Sequence, residues 1–165
     1  MFNSLIIFCG QYLISVPVLV LVIYFILVSW AQKSRLILLS VIAMTVAYAL
    51  ARIASDLYND PRPFVVGHFK PLIDHTADNG FPSDHMLLAS TIAMIVFYFN
   101  KKMGIALWVV AFVIGFSRVY AGIHHTVDIV GSTVIGIIAG AIAYYIAMAL
   151  RKKNKDGQTP IQVTS

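Results

Sequence analysis

Charge is scarce in this chain of 165 residues. Only 12% of them are Asp, Glu, Lys or Arg, against about a quarter in an average soluble domain, which excludes an ordinary water-soluble fold. Cysteine is scarcer still: the single Cys9 excludes an intramolecular disulfide framework, and no Cys/His group has the spacing of a structural zinc site. No carboxylate cluster with hard-metal spacing occurs, and no repeat with a period of about 20 to 50 residues is visible. The basic residues are not gathered in one patch, so the net charge of +5 does not point to nucleic acid.

Apolar residues are what the chain has in excess. They make up 59% of it, the mean hydropathy is +0.84, and they fall in runs that a soluble fold of one domain could not bury. A spanning helix needs about 20 such residues. Tyr12 to Trp30, Leu36 to Leu57, Met103 to Ala121 and Val127 to Leu150 qualify, and Pro82 to Phe99 is a shorter fifth. The expected fold is therefore an all-α polytopic membrane bundle of about five transmembrane helices. Phe2 to Cys9 is too short to cross alone and either extends the first helix or lies at the interface. It lacks a basic n-region and a cleavage site, so no cleaved signal peptide is expected. Residues 1–150 form the membrane domain. Residues 151–165 read as a polar, disordered tail containing Gly157 and Pro160.

Five spans put the connections Ala31 to Arg35 and Asn100 to Lys102 on one side with the C-terminal tail. That side carries Lys33, Arg35, Lys101, Lys102, Arg151, Lys152, Lys153 and Lys155, and the positive-inside rule makes it cytoplasmic. The N-terminus, the long Tyr58 to Phe81 connection and the Gly122 to Thr126 turn then lie outside. In the last span Ser132, Gly136 and Gly140 form a stripe of small residues, which either packs closely within the bundle or forms a dimer seam.

The outer connections hold nearly all the histidine, His68, His75, His124 and His125, with His85 just beyond the first of them and Arg62 and Arg118 beside hydrophobic helices. Ionisable groups there need partners and mark a functional site. Three patterns sharpen this. In Asn59-Asp60-Pro61-Arg62-Pro63-Phe64 two prolines restrict the backbone around an arginine, whose planar guanidinium suits phosphate oxygens, although such an arginine can also be structural or pair with a lipid headgroup. In Gly80-Phe81-Pro82-Ser83-Asp84-His85 the serine reads as an N-cap at a helix terminus able to receive an anion, with His85 in the first turn; a plain cap is the other reading. In Ser117-Arg118-x5-His124-x3-Asp128, Gly122 ends one helix and reverses the chain. If the next helix begins by His124, His124 and Asp128 share a face. That pair is either a structural hydrogen bond or an imidazole whose tautomer is fixed by the carboxylate, leaving the other nitrogen as a nucleophile. His125 points elsewhere. Two arginines, a serine, two histidines and an aspartate on one membrane face suit metal-free phosphoryl transfer through histidine.

The same residues resemble the three motifs of the type 2 phosphatidic acid phosphatase superfamily, helical-bundle enzymes related to vanadium haloperoxidases. The motifs read Lys-x6-Arg-Pro, Pro-Ser-Gly-His and Ser-Arg-x5-His-x3-Asp, and stand here as Ser55-x6-Arg62-Pro63, Pro82-Ser83-Asp84-His85 and Ser117-Arg118-x5-His124-x3-Asp128. Ser55 replaces the family lysine, for which Arg52 or Lys70 are candidates to substitute, and Asp84 replaces a glycine. Both departures, with the string from Leu72 to His85, resemble the bacitracin-resistance branch of undecaprenyl-diphosphate phosphatases, which act on the cell-wall lipid carrier outside the bacterial cytoplasmic membrane. The resemblance implies His124 as nucleophile, Asp128 as its orienting group and His85 as general acid and base. It gives Arg62, Ser83 and Arg118 to the phosphate oxygens, with Asp84 beside them and Lys70 or Arg52 at the second phosphate. It implies no metal or other cofactor, no nucleic acid and no obligate protein partner: the partners are the bilayer and an isoprenoid lipid diphosphate. The competing readings are a phosphatase for phosphatidylglycerophosphate or phosphatidate, a lipid phosphotransferase, and a non-catalytic membrane protein that binds lipid phosphate.

Overall fold

The computed structural model describes residues 1–156. It is helical: α1 (Phe2–Gln11), α2 (Ser15–Leu27), α3 (Trp30–Leu57), the single turn α4 (Pro63–Val66), α5 (Asp84–Phe99), α6 (Lys101–Tyr120) and α7 (Thr126–Asp156). Helix α5 is the axle. It packs against α2, α3, α6 and α7, and Met86, Ala89, Ile92, Ala93, Ile95 and Val96 along it are almost wholly enclosed. The surrounding helices turn large apolar side chains outward, among them Val41, Ile53, Val109, Phe112, Val130 and Val134. Exposed apolar surface on that scale suits lipid, not water.

Helices α3, α6 and α7 are long and apolar enough to cross a membrane, and α1 with α2 makes a fourth candidate span broken by a 46° bend. Of the two expectations for Phe2 to Cys9, extension of the first helix or a place at the interface, the structure shows a separate helix joined to α2 through the bend. Pro82 to Phe99, expected as a fifth span, forms the shorter apolar helix α5 and falls below spanning length. Its enclosure by four neighbours explains how so short a helix is held: its apolar surface is buried against protein all round.

Two expected boundaries move. Residues 31–35, expected as a connection, are the first turns of α3, which starts after Ser29, where Gln32 Oε1 accepts from the Ser29 amide at 3.4 Å. Helix α7 runs to Asp156, past the boundary expected at Leu150, because Arg151 to Lys155 contains good helix formers and no breaker precedes Gly157. The rest of the expected tail, residues 157–165, lies outside the described residues. The small-residue stripe packs within the chain: a Cβ at Gly136 would run into the Ser90 side chain and one at Gly140 into Met94, so α7 lies close on α5.

The bundle has two distinct ends. Ser34 and Arg35 share a groove with Tyr98, Phe99, Ala147 and Met148, which places the start of α3 beside the ends of α5 and α7. The opposite end gathers the polar residues.

Candidate active site

Helix α6 stops at Tyr120, and the turn that follows sets the position of His124. Gly122 takes φ +77°, a conformation that side chains with a Cβ disfavour, and Phe69 lies where its Cβ would be. The amides of Gly122 and Ile123 bond back to Val119 O at 3.0 Å and Arg118 O at 3.3 Å. Ile123 is then locked in a cluster with Ile6, Ile73 and Ala121. His124 follows without freedom to swing, 2% exposed, beside Arg62 at 5%, Arg118 at 4% and Asp128 at 0%.

His124 Nδ1 lies 3.1 Å from Asp128 Oδ2. The expected pairing forms, but not as two residues of one helix: α7 begins at Thr126, and His124 precedes it. Asp128 Oδ2 also accepts the His125 amide at 2.9 Å, so one carboxylate oxygen fixes both the entering backbone and the imidazole. With Nδ1–H donating to the carboxylate, Nε2 carries the lone pair. Two guanidiniums converge on it, Arg62 Nη1 and Arg118 Nη2, each at 3.3 Å. Burial, opposed by the Asp128 hydrogen bond and reinforced by the two arginines, holds the His124 pKa below the ordinary imidazole value, so the ring is neutral near pH 7.

Arg62 is the best-anchored cation. Pro63 opens α4 and makes Arg62 its N-cap. Its Nε donates to Asp78 Oδ1 at 2.7 Å, Nη1 to Ile123 O at 2.8 Å and Nη2 to Asn79 O at 3.4 Å. Burial works against ionisation of Asp78, but the hydrogen bonds from Arg62 and Thr76 outweigh it and lower its pKa. Arg118 has less support: Nη1 donates to Gly10 O at 3.0 Å, and Nε has no partner among the described residues.

Ser83 stands at the N-cap position of α5, yet its hydroxyl makes no cap bond. This corrects the expected cap. Ser83 O accepts the first helical bond from the Leu87 amide and a second from Ser132 Oγ, each at 2.9 Å, while Ser83 Oγ is buried without a partner among the described residues. His85, in the first turn of α5, has Arg118, His124 and His75 as titratable neighbours. An open cavity of about 330 Å³ is lined by Arg52, Ser55, Arg62, Asp84, Arg118 and His124 among others, with Ser83 and His85 outside its lining.

Arg62, Ser83, His85, Arg118, His124 and Asp128 are therefore brought together, with Arg52 and Asp84 at the cavity. Lys70 is not. Phe69 packs on Gly122 and the Leu72 amide bonds to Ala121 O at 3.0 Å, which fastens this part of the loop to the α6 turn and leaves Lys70 exposed outside the cavity lining. Ser55 does not face a cation either: its carbonyl and hydroxyl each accept from Asn79 Nδ2 at 3.1 Å. His125 turns to Asp60, at 2.9 Å.

Sequence reasoning missed the supports. Asn79 is a hub whose Oδ1 accepts from the amides of Asp60 at 2.9 Å and Phe81 at 3.0 Å, while Asp78 holds Arg62. An Asp-Asn-Gly run just before Phe81-Pro82 was the available signal, since such residues bond to nearby backbone. Gly80 was legible as a close approach only in retrospect, its Cβ position lying 3.0 Å from Asp128 Oδ2. The carbonyls of Gly10 and Ile123 left no signal. Asp60, His125 and Asp128 place ligand atoms within 4.8 Å of one another, but these atoms already serve the hydrogen bonds just described.

Known proteins resemble the chain over most of its length. The model of the PAP2 superfamily matches residues 35–152. The chain is 33% identical over 152 residues to the bacitracin transport permease protein BcrC of Bacillus licheniformis, covering 91% of this chain and 74% of the relative. It is 32% identical over 149 residues to the undecaprenyl-diphosphatase BcrC of Bacillus subtilis, covering 90% and 77%. The crystal structure of Aquifex aeolicus LpxE superposes with a TM-score of 0.68 at 26% identity, over 87% of this chain and 84% of that one.

Proposed function

The chain belongs to the PAP2 superfamily, and from that premise we propose that it removes the terminal phosphate of undecaprenyl diphosphate through a phosphohistidine on His124. It is a multi-pass membrane protein and a phosphatase of the lipid-phosphate class. The observation that carries the histidine mechanism is the buried His124, its Nδ1 held by Asp128 and its Nε2 faced by two guanidiniums; similarity to undecaprenyl-diphosphatases supports the substrate.

Helix α5 would receive the terminal phosphoryl group at its N-terminus, where amides lack intrahelical acceptors, with Ser83 Oγ, Arg62 and Arg118 on the non-bridging oxygens. The Nε2 lone pair attacks phosphorus in line. The bridging P–O bond breaks, and the departing oxygen of undecaprenyl phosphate takes a proton from His85, whose protonated form the bound diphosphate favours. Asp128 keeps the Nδ1 proton and balances the positive charge that develops on the ring. His85, now neutral, removes a proton from a water that attacks the phosphohistidine. The N–P bond breaks, its electrons return to Nε2, and phosphate leaves. Positive charge comes from the two arginines and the helix terminus, so no step calls on a metal. Arg52, which lines the cavity, would meet the second phosphate, whereas Lys70 lies outside the lining.

The isoprenoid chain stays in lipid. Lys33 and Arg35 at the start of α3, with Lys101 and Lys102 at the start of α6, support a cytoplasmic inner end and hence a site at the outer face of the bacterial cytoplasmic membrane. The test is phosphate release from undecaprenyl diphosphate in detergent with EDTA present. Wild type should release phosphate and His124→Ala should not, with the same thermal transition. Release by both proteins would overturn the histidine mechanism. Release by neither, or better turnover of phosphatidylglycerophosphate in competition, would overturn the substrate.

A further inference from the structure

We propose that His75 is a third phosphate contact of this site, set against a non-bridging oxygen beside Arg62 and Arg118, and that it takes up a proton when the anion binds. The inference rests on the reading that a phosphoryl group occupies the space between those arginines.

His75 lies in the loop between α4 and α5 and lines the same cavity as Arg62, Arg118 and His124. Its ring stands edge to face with that of His124, centroids 6.2 Å apart at 73°, and its side chain is 26% exposed, so it is reachable from the cavity. Its Nδ1 is turned to the loop, 3.4 Å from both Thr76 O and Thr76 Oγ1 and 4.0 Å from Asp78 Oδ1. Thr76 Oγ1 spends its own proton on Asp78 Oδ2 at 3.0 Å. The Nδ1 position is therefore the protonated one, donating to the Thr76 oxygens. That leaves Nε2, which has no hydrogen bond among the described residues.

A neutral ring would present a lone pair at Nε2 and repel an oxyanion; an imidazolium would donate to it. Before the anion arrives, burial and then Arg62 hold the His75 pKa below the ordinary value. Arg118 opposes protonation further and Asp78 favours it; His124, Arg52 and Asp84 share the cavity, and His85 is a titratable neighbour. A phosphoryl group places negative charge among these cations and reverses the balance, so protonation of His75 follows binding. This supplies a cation that the site otherwise lacks. Ser55 is engaged with Asn79, and Lys70 lies outside the lining.

Inorganic phosphate as a competitive inhibitor reports the contact without depending on which lipid is cleaved. Wild type, His75→Gln and His75→Lys would be compared in detergent at about pH 6 and pH 8.5, with thermal transitions in parallel. His75→Gln should raise the phosphate inhibition constant about tenfold or more at the lower pH, the scale of one charge-assisted hydrogen bond. At the higher pH it should approach wild type, with an unchanged transition temperature. His75→Lys should stay within a few-fold of wild type at both. Equal inhibition of wild type and His75→Gln at both pH values would overturn the proposal, as would an equal loss at both together with a lower transition temperature, the signature of a merely structural loop residue. A wild type that binds phosphate with this pH signature but leaves undecaprenyl diphosphate intact would refute the substrate while supporting the role of His75.

Discussion

Asp128→Asn separates orientation of the nucleophile from stabilisation of its charge. Both donors, His124 Nδ1–H and the His125 amide, converge on Oδ2, whereas Oδ1 is buried without a partner among the described residues. An asparagine can therefore place its carbonyl oxygen where Oδ2 stands and keep both hydrogen bonds, so the Nδ1–H tautomer survives. What is lost is the negative charge facing an imidazole that becomes cationic as the N–P bond forms. A hydrogen bond to a charged group is worth about 1.5 to 3 kcal/mol, and each ~1.4 kcal/mol is tenfold in rate, so kcat should fall about 10- to 150-fold. KM should change little, because the charge develops only toward the transition state. Steady-state phosphate release, with a thermal transition as the control for folding, measures both. An unchanged kcat would refute the charge role. A loss as complete as that of His124→Ala, in a folded protein, would show that the tautomer was inverted and that the assignment of Oδ2 as the common acceptor is wrong.

The lowered pKa of His124 leaves its reactive neutral form in place below pH 6.5, so the acid limb of kcat/KM should lie under that value, provided substrate ionisation is corrected for. Arg118→Gln removes a positive neighbour and should move the limb upward; a limb above 6.5 in wild type would contradict the neutral nucleophile. Ser83→Ala should lower kcat/KM about 10- to 100-fold, the scale of one hydrogen bond to an oxyanion, while leaving the thermal transition in place, since Oγ has no partner to lose among the described residues. A lower transition at unchanged rate would make the serine structural. Gly136→Val should destabilise by about 1 to 3 kcal/mol, because its side chain would meet Ser90 and the Thr91 amide nitrogen, the latter 3.1 Å from the Cβ position; equal thermal stability would refute the close packing of α7 on α5. Gly10→Val should cost activity more than stability: its Cβ would come within 2.8 Å of Ile73 Cδ1 and push away the carbonyl that holds Arg118. An unchanged kcat/KM would show that Arg118 does not depend on α1.

What could be read in advance was local. Arg118, Gly122, His124 and Asp128 lie within eleven positions, and the constraint that joins them, a helix end, a reversal and a short return, acts over that distance. The small-residue stripe was legible for the same reason, as a feature of one helix face. Contacts that depend on where a loop travels were not. Lys70 and His75 are both basic or titratable residues of one connection, and nothing in their spacing says that Phe69 fastens one outside the cavity while Asp78 and Thr76 turn the other toward it. Backbone acceptors were invisible by nature, since the carbonyls of Ile123 and Gly10 carry no side-chain signature. Ser83 failed as a cap because a serine at an N-cap position can turn its hydroxyl away from the first-turn amides, and its place in the sequence does not say which way it turns.

The unequal support of the two arginines has a consequence for the order of events in the proposed reaction. Arg62 is offset by Asp78 and three further contacts, so its position is set with or without substrate. Arg118 has one carbonyl and the imidazole, and its Nε has no partner among the described residues, a costly state for a buried cation. In the free site both guanidiniums donate toward His124 Nε2, which masks the lone pair that must attack. Phosphoryl oxygens are far stronger acceptors than an imidazole nitrogen and draw the N–H groups to themselves, Arg118 with most to gain. Binding of the anion thus uncovers the nucleophile in the same step that satisfies Arg118. The histidine is kept unreactive toward weak electrophiles by the very groups that later stabilise the transition state.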